Sequence, residues 1–536
     1  MRKKFSSYGP IVASSEFHAP RIALIDKVHK QLIGENIDEG GHYFTVWAPR
    51  QTGKTWILQN ALWRIQKDER FYVAKINLEA LKEVEDVGQF YSKLAADLNY
   101  EFQLGIPNAN SKNEFEDCFT NQYLKKPLIL ILDEFDALEE NVINTVVSSF
   151  RDMFVFRKDQ TDKKATEKKY LLHSVALIGV RSVVGIENVK GSPFNVQRSV
   201  HIPNLTFDEV KQMYNDYQQE YNQKIDADVI EQIYYETNGQ PGLVSWLGEL
   251  MTEKYNENIA SPITNKEWKK TYLYASQAEP NNTIMNLISK ANQLEYKEMV
   301  LKLFNTENKT PFKFDQIQFN FLYMNGVITF EIEEDEKTGP ALYAKFSCPF
   351  VQKRLFDRFC NEYFEYIGRP YDPTLELDDI FLETELKVYP LLKLYEVYLQ
   401  NNKHWINKNI PIRTDGRFHE TFYHFNFFRW LFEFLTKRDG YVIPEFPTGN
   451  GKIDLIVNYA DKKYALELKS FGDSSNIKKA IIRSAQYGKQ LKINEIYLIY
   501  FYDFLLPKEK LEKYEKEVLD LTTNVLVKPV FLYLDR

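Results

Sequence analysis

Apolar positions along the first half of the chain fall into two kinds of run. Short blocks of β-branched, aromatic and Leu residues open at Tyr43 and recur at Arg70–Leu78, Leu128–Asp133, Ser174–Val180 and Arg198–Pro203, the lengths and compositions expected of strands. Between them Trp56, Ile57, Leu58, Ala61, Leu62 and Ile65 recur at helical spacing, and a second helical segment spans roughly Gln89 to Leu98. Beyond Pro203 the pattern is helical to about Glu257. It starts at a Thr206 cap with Glu209 three residues on, and Gly239, Pro241 and Gly242 of TNGQPGLV break one helix and begin another. Helical runs at Thr283–Phe304 and Phe314–Asn325 then precede two strand-like runs, Gly326–Ile332 and Ala341–Phe346, and a closing helix, VQKRLFDRFCNEYF. A Pro-containing linker with one helix fills 367–415. The last segment reads as an aromatic-rich helix, Phe418–Lys437, followed by strands at Tyr441–Phe446, IDLIV and YALELKS and a helix around RSAQYGKQL.

Length and composition set bounds on this pattern. At 536 residues the chain is too long for one core. Apolar content of 44% and charged content of 27% are ordinary for a globular protein. No apolar run reaches the roughly 20 residues of a membrane span and MRKKFSSYGP lacks an apolar signal core, so the expectation is a cytoplasmic protein with no membrane partner. Three scattered cysteines, Cys118, Cys348 and Cys360, suit neither a disulfide framework nor a zinc site. A net charge of −7 does not announce nucleic-acid binding, although averaging over domains hides a local basic face.

The strongest chemical signal is YFTVWAPRQTGKT, Tyr43 to Thr55. A strand, a tight turn and a helix beginning at Gly53-Lys54-Thr55 make a phosphate-binding loop. With Pro49 opening the turn, backbone N–H groups from Arg50-Gln51-Thr52-Gly53 through Trp56 surround the β-phosphate region, Lys54 reaches the β/γ oxygens, and the Thr55 hydroxyl is placed to ligate Mg²⁺. Ala48 stands where the first Gly of such loops is usual, which narrows the turn without removing a phosphate ligand. The lead-in, with YGP and FHAPR, either encloses the nucleotide base or extends the core. LILILD is a buried strand ending in Asp133-Glu134. Asp133 is the candidate Mg²⁺ partner and Glu134 the candidate base for an attacking water; an acidic cap on a following helix is the plainer alternative. Arg181, at the tip of the next strand, is either a γ-phosphate sensor or a surface arginine.

The second signal lies in 416–536. Strand alternation puts Glu467 and Lys469 on one face, and a hairpin brings Asp454 to them. Asp454 and Glu467 are hard oxygen ligands for Mg²⁺, and Lys469 can orient a water or stabilise a pentavalent phosphate. Glu420 from the aromatic helix is a further ligand or water-positioning group, and Gln486 on the following helix suits a phosphate or sugar edge. An E-x-K strand on a solvated sheet is common, so the spacing of all five groups matters more than any one. Residues 417–536 hold nineteen Lys/Arg against sixteen Asp/Glu, a mildly basic balance.

APRQTGKT, LDEFDAL, IGVRSV, GSPFN and TNGQPGLV together resemble AAA-like P-loop ATPases related to the STAND class, over about Phe5 to Glu257. That resemblance implies a P-loop NTPase parallel sheet with a helical lid, ATP and Mg²⁺ as cofactors, and hydrolysis. Glu420, Asp454, Glu467-Leu468-Lys469 and Gln486 resemble the PD-(D/E)XK nuclease pattern, with Ile453 where a Pro is usual. Over nearly its whole length the chain is similar to bacterial proteins that join this ATPase type to this nuclease. The expectation is a multidomain α/β protein: an ATPase domain at 1–205, a helical lid at 206–280, a winged helix at 281–366, a helical linker at 367–415 and a restriction-endonuclease-like domain at 416–536. The acidic turn EEDEKTGP would repel phosphate, which favours a packing or regulatory role for the winged helix over DNA contact. Expected partners are nucleic acid, DNA ahead of RNA, and further copies of the chain, with Arg151, Arg181 and Arg198 as candidate fingers in trans. The competing reading is a signalling switch whose C-terminal domain binds without cleaving.

Overall fold

The computed structural model describes residues 2–7, 9, 11–82, 84–179, 199–304, 309–335, 339–368, 370, 377–409, 420–438, 440–444, 454–471, 477–502 and 504–534. They form two compact units. One comprises Met1–Thr283 with Phe314–Val327, the other Ile284–Lys313 with Ile328–Arg536.

In the first unit, β1 (Tyr43–Trp47), β2 (Tyr72–Asn77), β3 (Leu128–Asp133), β4 (Leu172–Gly179) and β5 (Val200–His201) make a parallel sheet in the order β2-β3-β4-β1-β5. Strand alternation divides the core into two layers. Leu128, Leu130 and Leu132 face a cluster shared with the helices Val87–Phe102 and Glu140–Asp159, whereas Ile129, Ile131 and Val73 face one shared with Ile22–Ile33 and Lys54–Ile65. A strand buried on both faces carries no polar alternation, which is why β3 reads as an unbroken apolar run.

Boundaries differ from the sequence reading where packing overrides local pattern. The helix expected at Gln89–Leu98 runs from Val87 to Phe102, because Asp86 caps it through Gly88 N–H. The strand expected over Arg198–Pro203 is paired only at Val200–His201, and Arg198, Arg181 and GSPFN lie outside the described residues. Four helices, Phe207–Tyr221, Ala227–Thr237, Pro241–Glu249 and Asn265–Gln277, follow the sheet. The first carries the capping box, with Thr206 and Glu209 bonded reciprocally. The lead-in packs on this helix: Phe5 lies 5.1 Å from Phe17 and 4.8 Å from Tyr214, ring centre to ring centre.

In the second unit, β6 (Ile328–Asp335) and β7 (Gly339–Phe346) form an antiparallel hairpin. The run Thr283–Phe304 is two helices, Asn282–Ala291 and Leu294–Lys302, with Gln293 in an extended conformation restarting the second. The stretch read as a linker holds a small hairpin, β8 (Phe381–Leu382) with β9 (Glu385–Leu386), and two helices, Val388–Asn401 and Lys403–Asn409. The C-terminal sheet has six strands: β10 (Tyr441–Pro444), β11 (Leu455–Tyr459), β12 (Lys462–Ser470), β13 (Glu495–Tyr502), β14 (Val518–Asp520) and β15 (Val525–Tyr533). Their order is β10-β11-β12-β13-β15-β14. β11 and β12 are joined by Ala460-Asp461, both left-handed, the backbone a two-residue hairpin turn requires. Of the three strands not located from the sequence, β13 runs parallel to β12 and β15 parallel to β13, whereas β14 pairs antiparallel with β15.

Candidate nucleotide and hydrolytic sites

The loop after β1 turns through two left-handed residues, Gln51 (φ 56°) and Gly53 (φ 87°), and the helix Lys54–Ile65 starts immediately. Ala48 keeps an ordinary φ and is fully buried, so a methyl at that position costs the turn nothing. Thr52 is buried and donates from Oγ1 to Pro49 O at 2.8 Å. Lys54 folds back, donating from Nζ to the carbonyls of Ala48 (2.8 Å) and Pro49 (2.9 Å). Burial pulls its ammonium below the ordinary lysine range, against the fields of Glu134, Asp136 and Asp133. Arg50 is exposed, Thr55 is half-buried in the first helical turn, and Trp56 is buried beneath it.

Asp133 ends β3 with only 5% of its surface exposed. Neither it nor Glu134 caps the next long helix, which begins at Glu140, so the plainer capping reading is set aside. Glu134 is half-buried and left-handed (φ 55°), a conformation that costs a non-glycine residue about 1–2 kcal/mol. Its carboxyl is pushed above the usual range by burial, then by Asp136 and Asp133, with Lys54 opposing. Asp136 occupies the space that Gly179, at the tip of β4, leaves by lacking a side chain.

Sequence reasoning missed two features of this site. Lys75 of β2 places Nζ 2.9 Å from Asp133 Oδ2. A lysine inside a largely apolar strand is a local hint, but its partner depends on which strand lies beside β2. The second feature is Gln51, which ties the loop to three other segments. Its side chain accepts from Thr283 Oγ1 and donates to Ser7 O (3.2 Å), while its carbonyl accepts from Gly242 N–H (3.1 Å) at the start of the helix Pro241–Glu249. Gly242 breaks a helix, as its sequence suggests, but it is also the only residue type that fits. A Cβ there would lie 2.4 Å from Gln51 Oε1 and 2.7 Å from Gln51 Cβ. Gly242→Ala is therefore expected to lower the melting temperature of the nucleotide-binding unit, by an overpacking cost of roughly 1–3 kcal/mol. Adding Gln51→Gly, which removes both atoms and suits the left-handed backbone there, should recover most of that loss; a melt unchanged by Gly242→Ala would show that this contact yields freely.

Beside the loop, a cleft open to solvent is lined by Ile11, Phe17 and His18 of the lead-in, Gly53, Trp56 and Pro241, among others. The lead-in extends the core through Phe5, and its His18 also lines this cleft. Trp56 Nε1 is buried with no acceptor among the described residues.

In the second unit the hairpin brings the acidic pair together. The β11–β12 ladder ends at Leu455 opposite Leu466, so Asp454 stands one step beyond, opposite Glu467. Both carboxylates are buried, at 3% and 1% exposed. Asp454 Oδ2 accepts from Leu468 N–H at 2.7 Å. Lys469 Nζ lies 3.5 Å from Glu467 Oε1, and Ser484 Oγ donates to Glu467 Oε2. Burial first, and Asp454 second, push the Glu467 carboxyl up to about 7, with Lys469 and Ser484 opposing. His424, on the helix Glu420–Leu435, places Nε2 3.8 Å from Asp454 Oδ2.

Two residues expected at this site stand differently. Glu420 opens its helix, and its side chain lies outside the described residues. Gln486 is exposed; Ser484 is the residue of the helix Ile477–Leu491 that meets Glu467. Two residues along a helix is about 200°, so the two side chains cannot share a face. Among the described residues no three or more His, Cys, Asp or Glu side chains gather as a metal cluster. The site offers two carboxylates, a lysine and a serine.

A parallel β2-β3-β4-β1-β5 sheet, a Gly-Lys-Thr loop leading into a helix, and an Asp-Glu pair at the tip of β3 define a P-loop ATPase fold. The family model for the AAA-like domain matches residues 9–347, and the chain belongs to that family. No curated protein matches the sequence. Among solved structures, the Walker-type ATPase of Pyrococcus abyssi is 13% identical, covering 66% of this chain and 99% of its own, with a TM-score of 0.39. The Aeropyrum pernix Orc1 protein, solved in complex with DNA, is 14% identical over 63% of this chain and 92% of its own, with a TM-score of 0.33. The Thermotoga maritima RuvB branch-migration motor is 12% identical over 60% and 92%, with a TM-score of 0.33. These are likenesses of fold. No described helix is long and apolar enough to cross a membrane.

Proposed function

We propose that the protein binds and hydrolyses ATP at the loop, and that its nucleotide state regulates a metal-dependent nuclease site in the C-terminal sheet. The ATPase half follows from family membership and from Lys54, Asp133 and Glu134 being held at one sheet edge. Thr55 and Asp133 would hold Mg²⁺, which neutralises phosphate charge when bound. The chain's own part is to present Lys54 to phosphate, to place Glu134 as the base for water, and to receive the base in the cleft, where the orphaned Trp56 N–H awaits an acceptor. Arg181 is kept as the candidate sensor. Gln51 links loop occupancy to the helices that follow and to Thr283, where the chain passes from the first unit to the second.

The observation that carries the nuclease half is the burial of Asp454 and Glu467 opposite one another with Lys469 at hand. Asp454 and Glu467 would hold Mg²⁺, whose charge would offset that developing on a phosphodiester, with Lys469 orienting a water. Glu420 stays a candidate ligand, and Gln486 becomes a candidate substrate contact away from the metal. On the exposed side of its helix, Lys479, Arg483, Gln486 and Gln490 fall at three- and four-residue steps, and Ile477–Leu491 holds no acidic residue. That stripe suits a nucleic-acid backbone, DNA ahead of RNA. Residues 281–366, with the β6–β7 hairpin, are kept as a candidate winged helix; Lys309 is engaged with Glu331 and Glu333 of that hairpin, which fits packing or regulation rather than DNA contact. Cytoplasmic location and assembly from several copies complete the reading.

A second reading has its own support. With only two carboxylates gathered among the described residues, the C-terminal sheet could serve a signalling ATPase by binding a ligand without cutting it. A cleavage panel of single- and double-stranded DNA and RNA, with Mg²⁺ or Mn²⁺ and with or without ATP, separates the two. Metal-dependent cleavage that changes with ATP is the expected result. Binding without cleavage in every condition would transfer the case to the switch.

A further inference from the structure

Asp133 is fully engaged as it stands. Its Oδ2 lies 2.9 Å from Lys75 Nζ, its Oδ1 accepts from Glu134 N–H at 3.2 Å, and its own carbonyl accepts from Leu78 N–H at 2.9 Å. The pairing follows from sheet register. Lys75 is paired with Ile131, two residues before Asp133 on the same strand, so both side chains emerge on the face covered by the helix Lys54–Ile65. Neither is a loose surface group: 21% and 7% of the two side chains are exposed. A cation is thus built into the strand next to the carboxylate that the nucleotide site needs. Lys54 is likewise turned inward, onto the carbonyls of Ala48 and Pro49.

We propose that Lys75 is a resident counter-ion of Asp133 that competes with Mg²⁺ for this carboxylate and so sets the metal concentration at which nucleotide is taken up. This rests on the ATPase reading above. A divalent ion arriving at Asp133 meets a positive charge already within ion-pair distance, and like charges this close in a half-buried setting repel strongly. Lys75 must then swing away or keep only a water-mediated contact. The pair also compensates Asp133 while no metal is bound, because an isolated carboxylate at this burial would destabilise the strand tip. Lys75 thereby serves the folding of the empty site and raises the threshold for filling it. It is a positioning residue, acting through Asp133.

The test is a titration of free Mg²⁺ at fixed fluorescent ATP analogue, read as binding rather than turnover, on the full chain carrying Lys75→Met or Lys75→Arg. In Lys75→Met the Mg²⁺ midpoint is expected to fall roughly five-fold, the effect of removing one partly exposed ion pair. Lys75→Arg, which keeps the charge, should stay near the parent. In EDTA, Lys75→Met should melt below the parent, with the gap narrowing as Mg²⁺ and nucleotide are added. An unchanged midpoint would overturn the proposal, and a raised one would show that Lys75 orients Asp133 for the metal instead. If the parent itself bound no nucleotide at any Mg²⁺ concentration, the ATPase reading would fall and this one with it. Binding by the parent with no response to Lys75→Met removes only the counter-ion.

Discussion

Glu134→Gln is expected to bind ATP as tightly as the parent and to turn it over about 10²–10⁴-fold more slowly, the usual worth of a positioned base. Three observations favour the proposed base at Glu134 over Asp133 or Asp136. Asp133 is engaged on both carboxylate oxygens, by Lys75 and by Glu134 N–H. Asp136 is packed against Gly179. Glu134 alone sits at a strand tip in a left-handed conformation with a carboxyl raised by burial and by two neighbouring acids, which makes it a better proton acceptor than an ordinary surface glutamate. The amide keeps the shape and loses the basicity, so binding and chemistry separate. Equilibrium binding and single-turnover hydrolysis on one preparation check this. Lys54→Ala is the contrasting control, because it removes the phosphate contact and should lose affinity as well. Turnover close to the parent's in Glu134→Gln would take the base role away from it.

How far the sequence revealed these sites depends on the range of the contact involved. The loop was legible because its parts are adjacent in the chain: strand, turn, Gly53, Lys54 and helix occur within a dozen residues, and each has a local reason to be there. Asp133 was legible because a fully buried strand has to end somewhere, and a carboxylate at that end is chemically unusual. Lys75 was not, since its role depends on which strand lies beside β3, a question of sheet order that the apolar pattern does not answer. Gln51 and Gly242 met the same difficulty across 191 positions of chain, with Gly242 recognisable only as a breaker.

The C-terminal site shows the limit differently. Its two acids came from a hairpin whose register the turn Ala460-Asp461 enforces, so period-two reasoning was enough to pair Asp454 with Glu467. The helix behind them was recognised, but its rotation was not. With small residues Ser484, Ala485 and Gly488 buried, the helix approaches the sheet closely on that face and turns Gln486 outward. A preference for amides as phosphate contacts pointed to Gln486; the packing requirement for small side chains pointed to Ser484.

On the proposed nuclease reading, cleavage at the second site is expected to fall by about 10³-fold or more in Glu467→Ala, because the lost carboxylate would remove a metal ligand and the electrostatic support that depends on it. Lys469→Ala should lose turnover while still taking up metal. The pH dependence sharpens both. With its carboxyl pushed up to about 7, Glu467 is largely protonated at pH 6 and must shed that proton to hold a cation, so metal affinity should climb with pH and level off above about 7. Stability of the metal-free protein runs the other way. A carboxyl raised from an unfolded value of 4.5 to about 7 contributes stability that is fully present below pH 4.5 and lost as pH rises through 7, roughly 3 kcal/mol in all. Glu467→Gln, which cannot ionise, should flatten that part of the profile. Melting curves in EDTA at pH 5 and pH 8, for the parent and Glu467→Gln, read the difference directly. If both proteins lose equal stability between those pH values, Glu467 is ionised throughout, and any rise in metal affinity with pH must come from another group.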